Sequence, residues 1–233
     1  MTGFPYRTAL IVGAGPGISA SLARRLRAAG VEVGLAARHA EKLQPLAAQI
    51  GAHAFSVEAS NPDSVAALFS AATERFGDLE ILAYNAGLRL SGPLAELDPA
   101  AVEKALAVNA FGGFLAAQQA AKRMLPRGKG AILFTGATAS VKGFAHSAAF
   151  AMGKFALRGL AQSAARELGP LGIHVAHVVI DGAVRSPARP AAGERPDGTL
   201  DPDAIAQSCL DVLRQPRSAW SQEIDLRPWV ERF

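Results

Sequence analysis

The sequence predicts an α/β domain: a parallel sheet of about seven strands, doubly wound, with helices on both faces. Three observations carry this. Short apolar runs of strand length alternate with helix-length amphipathic segments from the start of the chain. A glycine-rich turn, Gly13-Ala14-Gly15-Pro16-Gly17, joins the first apolar run to the first helical segment. Several later helices are announced by an Asn-Pro or Asp-Pro pair, a capping side chain followed by a proline whose missing N–H costs nothing in a first turn.

Taken in order, Arg7–Val12 is the first strand. The helix after the glycine turn carries Leu22, Leu26 and Ala29 on one stripe and ends at Gly30. Val31–Ala36 is the second strand, Ala40–Gln49 a helix and Ala52–Val57 the third strand. Asn61-Pro62 opens a helix to about Phe76, and Glu80–Ala83 is the fourth strand. Asp98-Pro99 opens a long helix to about Met124. Gly130–Thr135 is the fifth strand, Ala148–Leu168 a second long helix and Gly172–Val179 the sixth strand. Arg185–Thr199, with Pro187, Pro190 and Pro196, reads as a mobile loop. Asp201-Pro202 starts the last helix, to about Arg214, and Glu223–Leu226 closes the sheet. No repeat, low-complexity tract or linker divides the chain, so residues 1–233 read as a single domain.

Composition excludes several classes. Half of the 233 residues are hydrophobic, too many for a disordered chain. No uninterrupted apolar run approaches the ~20 residues of a membrane helix, and the first residues run straight into a strand without a secretory signal. Cys209 is the only cysteine, so no internal disulfide forms; with the missing signal, this reads as a cytoplasmic protein in a reducing compartment. The net charge of +4 is spread over helices and turns without a basic run interleaved with aromatics, which argues against nucleic acid and leaves part of the charge to face an anionic ligand.

The glycine turn is the first functional signal. Glycines let the backbone approach a pyrophosphate, and the helix start at Ile18 and Ser19 offers free N–H groups and a partial positive charge. Gly13, Gly15 and Gly17 fall on alternate positions, which breaks the G-x-G-x-x-G spacing. At the tip of the second strand, an acid would bond a ribose 2′-hydroxyl and an arginine would pair a 2′-phosphate. Here the residues are Ala36-Ala37-Arg38-His39, which favours NADP(H) over NAD(H). Further on come Glu58-Ala59, Tyr84-Asn85-Ala86-Gly87, Val108-Asn109-Ala110 and Phe150-Ala-Met-Gly-Lys154.

Together these motifs resemble the short-chain dehydrogenase/reductase family over nearly the whole chain. The resemblance implies a single-domain Rossmann-type fold and an NAD(P)-dependent transfer of hydride to or from a carbonyl or alcohol carbon. It fits the family's Gly-x-x-x-Gly-x-Gly pattern at Gly13 and Gly17, with Ser19 at the last glycine, where its hydroxyl could bond phosphate. It places Glu58 and Ala59 near the adenine, and Asn85, Ala86 and Gly87 beside the adenine ribose. It implies that Gly182, Val184 and Ser186 line the cofactor after the sixth strand, with Asp181 where the family has proline. Lys154 matches the lysine that binds the nicotinamide ribose, and Asn109 the asparagine that holds a water relay. The family's tyrosine, which moves the proton, falls on Phe150, and its carbonyl-orienting serine on Ala137. Neither side chain can donate. No tyrosine follows Tyr84, so no shift of alignment restores one.

Candidate substitute donors are Thr138, Ser140, His146 and Ser147, with Thr138, next to Ala137, the foremost as a carbonyl donor and His146 attractive for its near-neutral titration. The loop Arg185–Thr199 would cover the substrate, and Arg185, Arg189 and Arg195 would either favour an anionic ligand or simply be solvated. Two functions stand side by side: an NADP(H)-dependent oxidoreductase with atypical proton transfer, and an NADP(H)-binding sensor, regulator or partner subunit without turnover. Resemblance and the alanine-rich long helices together imply a homodimer or homotetramer. Trp220 and Trp229 read as packing the tail against the body or a neighbouring subunit.

Overall fold

The computed structural model describes residues 3–186 and 197–230. Seven strands form one sheet in the order β3-β2-β1-β4-β5-β6-β7, every neighbouring pair parallel. They are β1 (Thr8–Val12), β2 (Glu32–Ala37), β3 (His53–Ser56), β4 (Ile81–Tyr84), β5 (Gly130–Thr135), β6 (Ile173–Ile180) and β7 (Glu223–Leu226). The central strands are buried along their whole length and mostly apolar, as a sheet covered on both faces requires. The sequence places each strand within a residue or two.

The helices are α1 (Ile18–Ala28), α2 (Gln44–Ile50), α3 (Pro62–Phe76), α4 (Pro99–Leu106), α5 (Gly112–Met124), α6 (Ala148–Leu168) and α7 (Pro202–Leu213). Helices α1, α2 and α7 cover one face around Leu22, Leu26, Leu43, Ile205 and Leu210. Helices α3, α5 and α6 cover the other around Leu68, Phe69, Leu115, Met124 and Leu157. Asn61, Asp98 and Asp201 accept backbone N–H bonds at the starts of α3, α4 and α7, as their Asn-Pro and Asp-Pro signals require.

Two helical segments differ from the sequence reading. The helix expected at Ala40–Gln49 is a short 3₁₀ turn, Ala40–Leu43, followed by α2, because Pro45 fits only a first turn. The long helix expected from Pro99 to Met124 is divided by a π-helical turn at Ala107–Phe111, which joins α4 to α5. The stretch Pro99–Arg127 is long and apolar enough, by length and composition, to cross a membrane. A search for an uninterrupted apolar run misses it because charged residues punctuate it. In the fold its face with Leu115, Ala116, Ala120 and Met124 is buried against the sheet and its neighbours.

The strand order reverses between β1 and β4, so the loops at their carboxyl ends part and leave a crevice. The loops after β5 and β6 extend it.

Candidate active site and dinucleotide cleft

The floor of the crevice is a backbone contact that only glycine permits. Gly13 has φ +84°, and a Cβ there would lie 2.2 Å from the Ala86 nitrogen. The β1 loop therefore sits directly against the Asn85-Ala86-Gly87 turn. The amides of Gly13 and Ala14 both donate to the Ala36 carbonyl at 2.9 Å, which fixes the turn against β2. A Cβ at Gly15 or Gly17 would meet nothing within 4 Å, so internal packing does not demand glycine at these two positions. The open space lies at the start of α1, where first-turn N–H groups lack helical partners. A pyrophosphate fits that combination of bare backbone and positive helix end.

Ser19 is buried, and its hydroxyl is already engaged: it donates to the Gly13 carbonyl at 3.2 Å and accepts from Asn85 Nδ2 at 2.8 Å. It braces the loop rather than offering a hydroxyl to phosphate. Ile18, Asn85 and Gly87 line a cleft of ≈ 870 Å³ that runs on past Ala137, Thr138, Phe150 and Lys154 to Gly182 and Val184. On the other side of the glycine turn, Gly13, Arg38, Glu58, Ala59, Asn85, Ala86 and Gly87 line a second, ≈ 250 Å³ pocket. A third hollow, beside Gly15 and Pro16, is bordered by Arg38, His39 and Lys42 with no acid among its lining residues. Arg38 and Lys42 thus bring two cations to this hollow, while Glu41 pairs with His39 at 3.2 Å. Glu58 is exposed and accepts from the Ser60 hydroxyl at 3.0 Å.

Tyr84, an unusual bulky residue from the sequence alone, is explained by the π turn. Its ring is wholly buried, and its hydroxyl donates to the Val108 carbonyl at 2.5 Å within that turn. Gly112 makes this possible, since a Cβ there would stand 2.4 Å from the Tyr84 oxygen. Burial drives the Tyr84 pKa upward, away from any proton-transfer role. The same turn projects Asn109, which is fully buried. Its Oδ1 accepts from the Leu88 N–H at 2.9 Å and its Nδ2 donates to the Leu88 carbonyl at 2.8 Å. Asn109 therefore clamps the chain just beyond Gly87. Gly153 lets α6 approach, because a Cβ there would sit 2.6 Å from the Asn109 Cβ.

One residue further on, Lys154 is buried and its Nζ donates to the Thr135 carbonyl at 2.8 Å. Burial lowers its pKa to about 8. The Phe150 ring stands one helical turn earlier, and two cations flank it: Lys154 Nζ at 5.9 Å and Arg89 Cζ at 5.9 Å from its centroid. Arg89 was not singled out in the sequence. The only available signal was its position, two residues after the Asn-Ala-Gly turn.

Ala137 begins the β5 loop in extended backbone, and its N–H donates to Ser140 Oγ at 3.1 Å. Ser140 is fully buried, which removes it as a substitute donor. Thr138, His146 and Ser147 all line the cleft. His146 is the one non-glycine residue with positive φ, +63°, among the described residues, and its carbonyl accepts from the Gly92 N–H at 2.9 Å. That bond ties the β5 loop to the segment carrying Arg89.

Asp181, in the place expected for proline, is buried and paired with Arg227 Nη2 at 3.0 Å. Gly182 has φ +149°, and a Cβ would press on Pro228 at 2.9 Å. Ser186 is half-buried beyond Val184, which bridges to Leu200. Arg185 is paired with Asp201 at 2.5 Å, so its charge is already answered within the chain. Arg189 and Arg195, and most of the expected substrate loop, lie outside the described residues.

The short chain dehydrogenase family model matches residues 7–196. An uncharacterized oxidoreductase of Staphylococcus aureus strain N315 is 30% identical over 237 residues, covering 98% of this chain and 100% of that protein. The crystal structure of a short-chain dehydrogenase from Rhodopseudomonas palustris superposes with a TM-score of 0.84 at 37% identity, over 96% of this chain and 99% of that one. An alcohol dehydrogenase from Thermococcus sibiricus, complexed with 5-hydroxy-NADP, superposes with a TM-score of 0.87 at 26% identity, over 97% of this chain and 98% of that one. In both fold and sequence, then, the chain belongs to the short-chain dehydrogenase family.

Proposed function

We infer that this short-chain dehydrogenase binds NADP(H) and acts as an oxidoreductase on a small carbonyl or alcohol compound, with a proton route that does not use a tyrosine. The observation that carries the cofactor reading is the acid-free basic hollow at the tip of β2, bordered by Arg38, His39 and Lys42 beside the glycine turn. A 2′-phosphate there would meet charge-assisted donors from Arg38 and Lys42, with the nearby Glu41 carboxylate engaged by His39 at 3.2 Å. The Thermococcus sibiricus relative, bound to 5-hydroxy-NADP, supports the same assignment.

The bound nicotinamide would supply or accept the hydride. The chain's own residues would do the rest. The Gly13–Gly17 turn and the start of α1 would hold the pyrophosphate, and Asn85 and Gly87 would border the ribose. Lys154, anchored on Thr135, would bond the nicotinamide ribose. Gly182 and Val184 would close the far wall. Thr138 is the cleft hydroxyl nearest in sequence to Ala137, and it could donate a hydrogen bond to a carbonyl oxygen.

A second reading has its own observation. Phe150 and Ala137 stand at the cleft without a hydroxyl between them, so a dinucleotide-binding protein without turnover is the alternative.

Titration calorimetry with NADP(H) and NAD(H) tests the cofactor assignment. NADP(H) is expected to bind more tightly. Arg38→Ala should remove about 1.5–3 kcal/mol of that preference, the contribution of a hydrogen bond to a charged group. Equal affinities, unchanged in the variant, would refute the NADP reading.

A further inference from the structure

The large cleft carries a charge pattern that its dinucleotide end does not account for. Its lining includes Arg89, His146 and Lys154 and not one aspartate or glutamate. The other arginines beside the cleft are neutralised: Arg185 pairs with Asp201 and Arg227 with Asp181. Arg89 has no carboxylate within ion-pair distance among the described residues. It stands over the Phe150 ring, 5.9 Å from the centroid. A guanidinium lying over an aromatic face keeps its edge N–H groups free, and that edge matches a carboxylate in a two-bond fork.

The site is built rather than merely exposed. The bond from the Gly92 N–H to the His146 carbonyl joins the Arg89 segment to the β5 loop, with His146 held at positive φ. Phe144, Phe150, Ile180 and Val184 give the wall its apolar part, and Ser91, Thr138 and Ser147 add neutral hydroxyls.

We propose that the cleft is a binding site for a small organic carboxylate with an apolar body, its anionic end on the Arg89 guanidinium and its body along Phe150 and Phe144. Building on the oxidoreductase reading, the substrate is then an oxo- or hydroxy-carboxylic acid. Its reacting carbon points away from Arg89, toward Lys154 and the dinucleotide. Phenylalanine at position 150 suits this arrangement, because its apolar ring gives Arg89 a face to lie on and lets the guanidinium edge turn to the ligand.

The test is calorimetric titration of the full chain with benzoate, and with benzamide and benzyl alcohol as uncharged compounds of the same ring, both with and without saturating NADP⁺. Benzoate is expected to bind about tenfold or more tightly than benzamide, the range of a charge-assisted pair. Arg89→Met should erase that preference while leaving NADP⁺ affinity unchanged, which also shows that the variant folds. Arg38→Ala should leave the benzoate preference intact. Benzoate binding no better than benzamide, including no binding of either, overturns the proposal on the wild-type chain alone. A preference that survives Arg89→Met overturns the assignment to Arg89. Failure of the cofactor reading shows separately, as absent NADP⁺ and NAD⁺ binding, and leaves the titrations without dinucleotide to decide the carboxylate site.

Discussion

At the scale of single residues, two oxygen atoms separate this cleft from the arrangement its family resemblance implies. Phe150 lacks the hydroxyl of a tyrosine and Ala137 that of a serine. The supporting groups remain: Lys154 is buried beside the ring and bonded to Thr135, and Asn109 holds Leu88. A positioned general acid contributes about 10²–10⁴ in rate and a carbonyl-polarising donor about 10²–10³. Because such groups act as a unit, their losses do not multiply, and a deficit nearer 10⁴ than 10⁷ is expected. NADPH oxidation on simple ketones should therefore run far below the usual ~1–10³ s⁻¹. Phe150→Tyr with Ala137→Ser should raise it, since the Lys154 ammonium would lower the new phenol's pKa. Wild-type turnover within the usual range would show that another group supplies the proton, with Thr138→Val and His146→Ala the variants to identify it. The missing tyrosine was legible in the sequence because the spacing of Phe150 and Lys154 puts them on one helix face, and the missing serine because Ala137 falls where the family resemblance places it. The inward bonds of Ser19 and the full burial of Ser140 were not, because they depend on which neighbour reaches a hydroxyl first. Arg89 escaped notice because an arginine in a loop is unremarkable until an aromatic ring and an acid-free wall stand next to it.

At the scale of elements, strand limits and most helix starts followed from apolar runs and Asn-Pro or Asp-Pro pairs. The π turn did not, because Ala107–Phe111 has ordinary helical composition. Its anchor is tertiary: Tyr84, at the end of β4, donates to the Val108 carbonyl within the turn. A second tertiary device ties β6, β7 and α6 together. Glu223 accepts two bonds from Arg158, at 2.6 and 2.7 Å, and its carboxylate meets His177 Nδ1 at 2.9 Å. Arg158 holds the Glu223 pKa below its usual value, with His177 adding to the effect. Burial lowers the pKa of His177 from 6.5, with Lys154 and Arg158 adding to the effect and Glu223 opposing it. His174, stacked on Trp220 at 4.7 Å, is lowered by burial too.

Both histidines thus bind protons less readily in the fold than in the unfolded chain. Their contribution is complete above about pH 6.5 and is lost as pH falls below it, and Glu223 adds a further loss in the acid range. Thermal melts should show Tm falling between about pH 7.5 and about pH 5, with His177→Gln flattening the fall. A Tm unchanged over that interval would contradict this account.

At the scale of the whole molecule, the surface carries apolar groups that its own core leaves uncovered. Phe111 and Phe114 stack at 6.1 Å beside α5, and Met152 and Phe155 stand out on α6. Trp220 packs on the body, as expected of the tail, but Trp229 is 82% exposed. Paired helices of neighbouring subunits would cover such positions. Light scattering at micromolar concentration should find a dimer or tetramer. Phe114→Asp with Phe155→Asp should shift it toward monomer while NADP(H) binding persists. A wild-type monomer would refute the assembly.

The place of β7 has a further consequence, for the chain while it is being made. Strand β6 is buried along its whole length and apolar at all but His174 and His177, and β7 shields its outer edge. Residues 223–226 leave the ribosome after every other strand among the described residues. Until they dock, the nascent protein presents an unpaired hydrophobic edge to any strand it meets. Strand β7 thus acts as a stopper against aggregation, and a ribosome that stalls just before residues 223–226 leaves the most adhesive version of this fold.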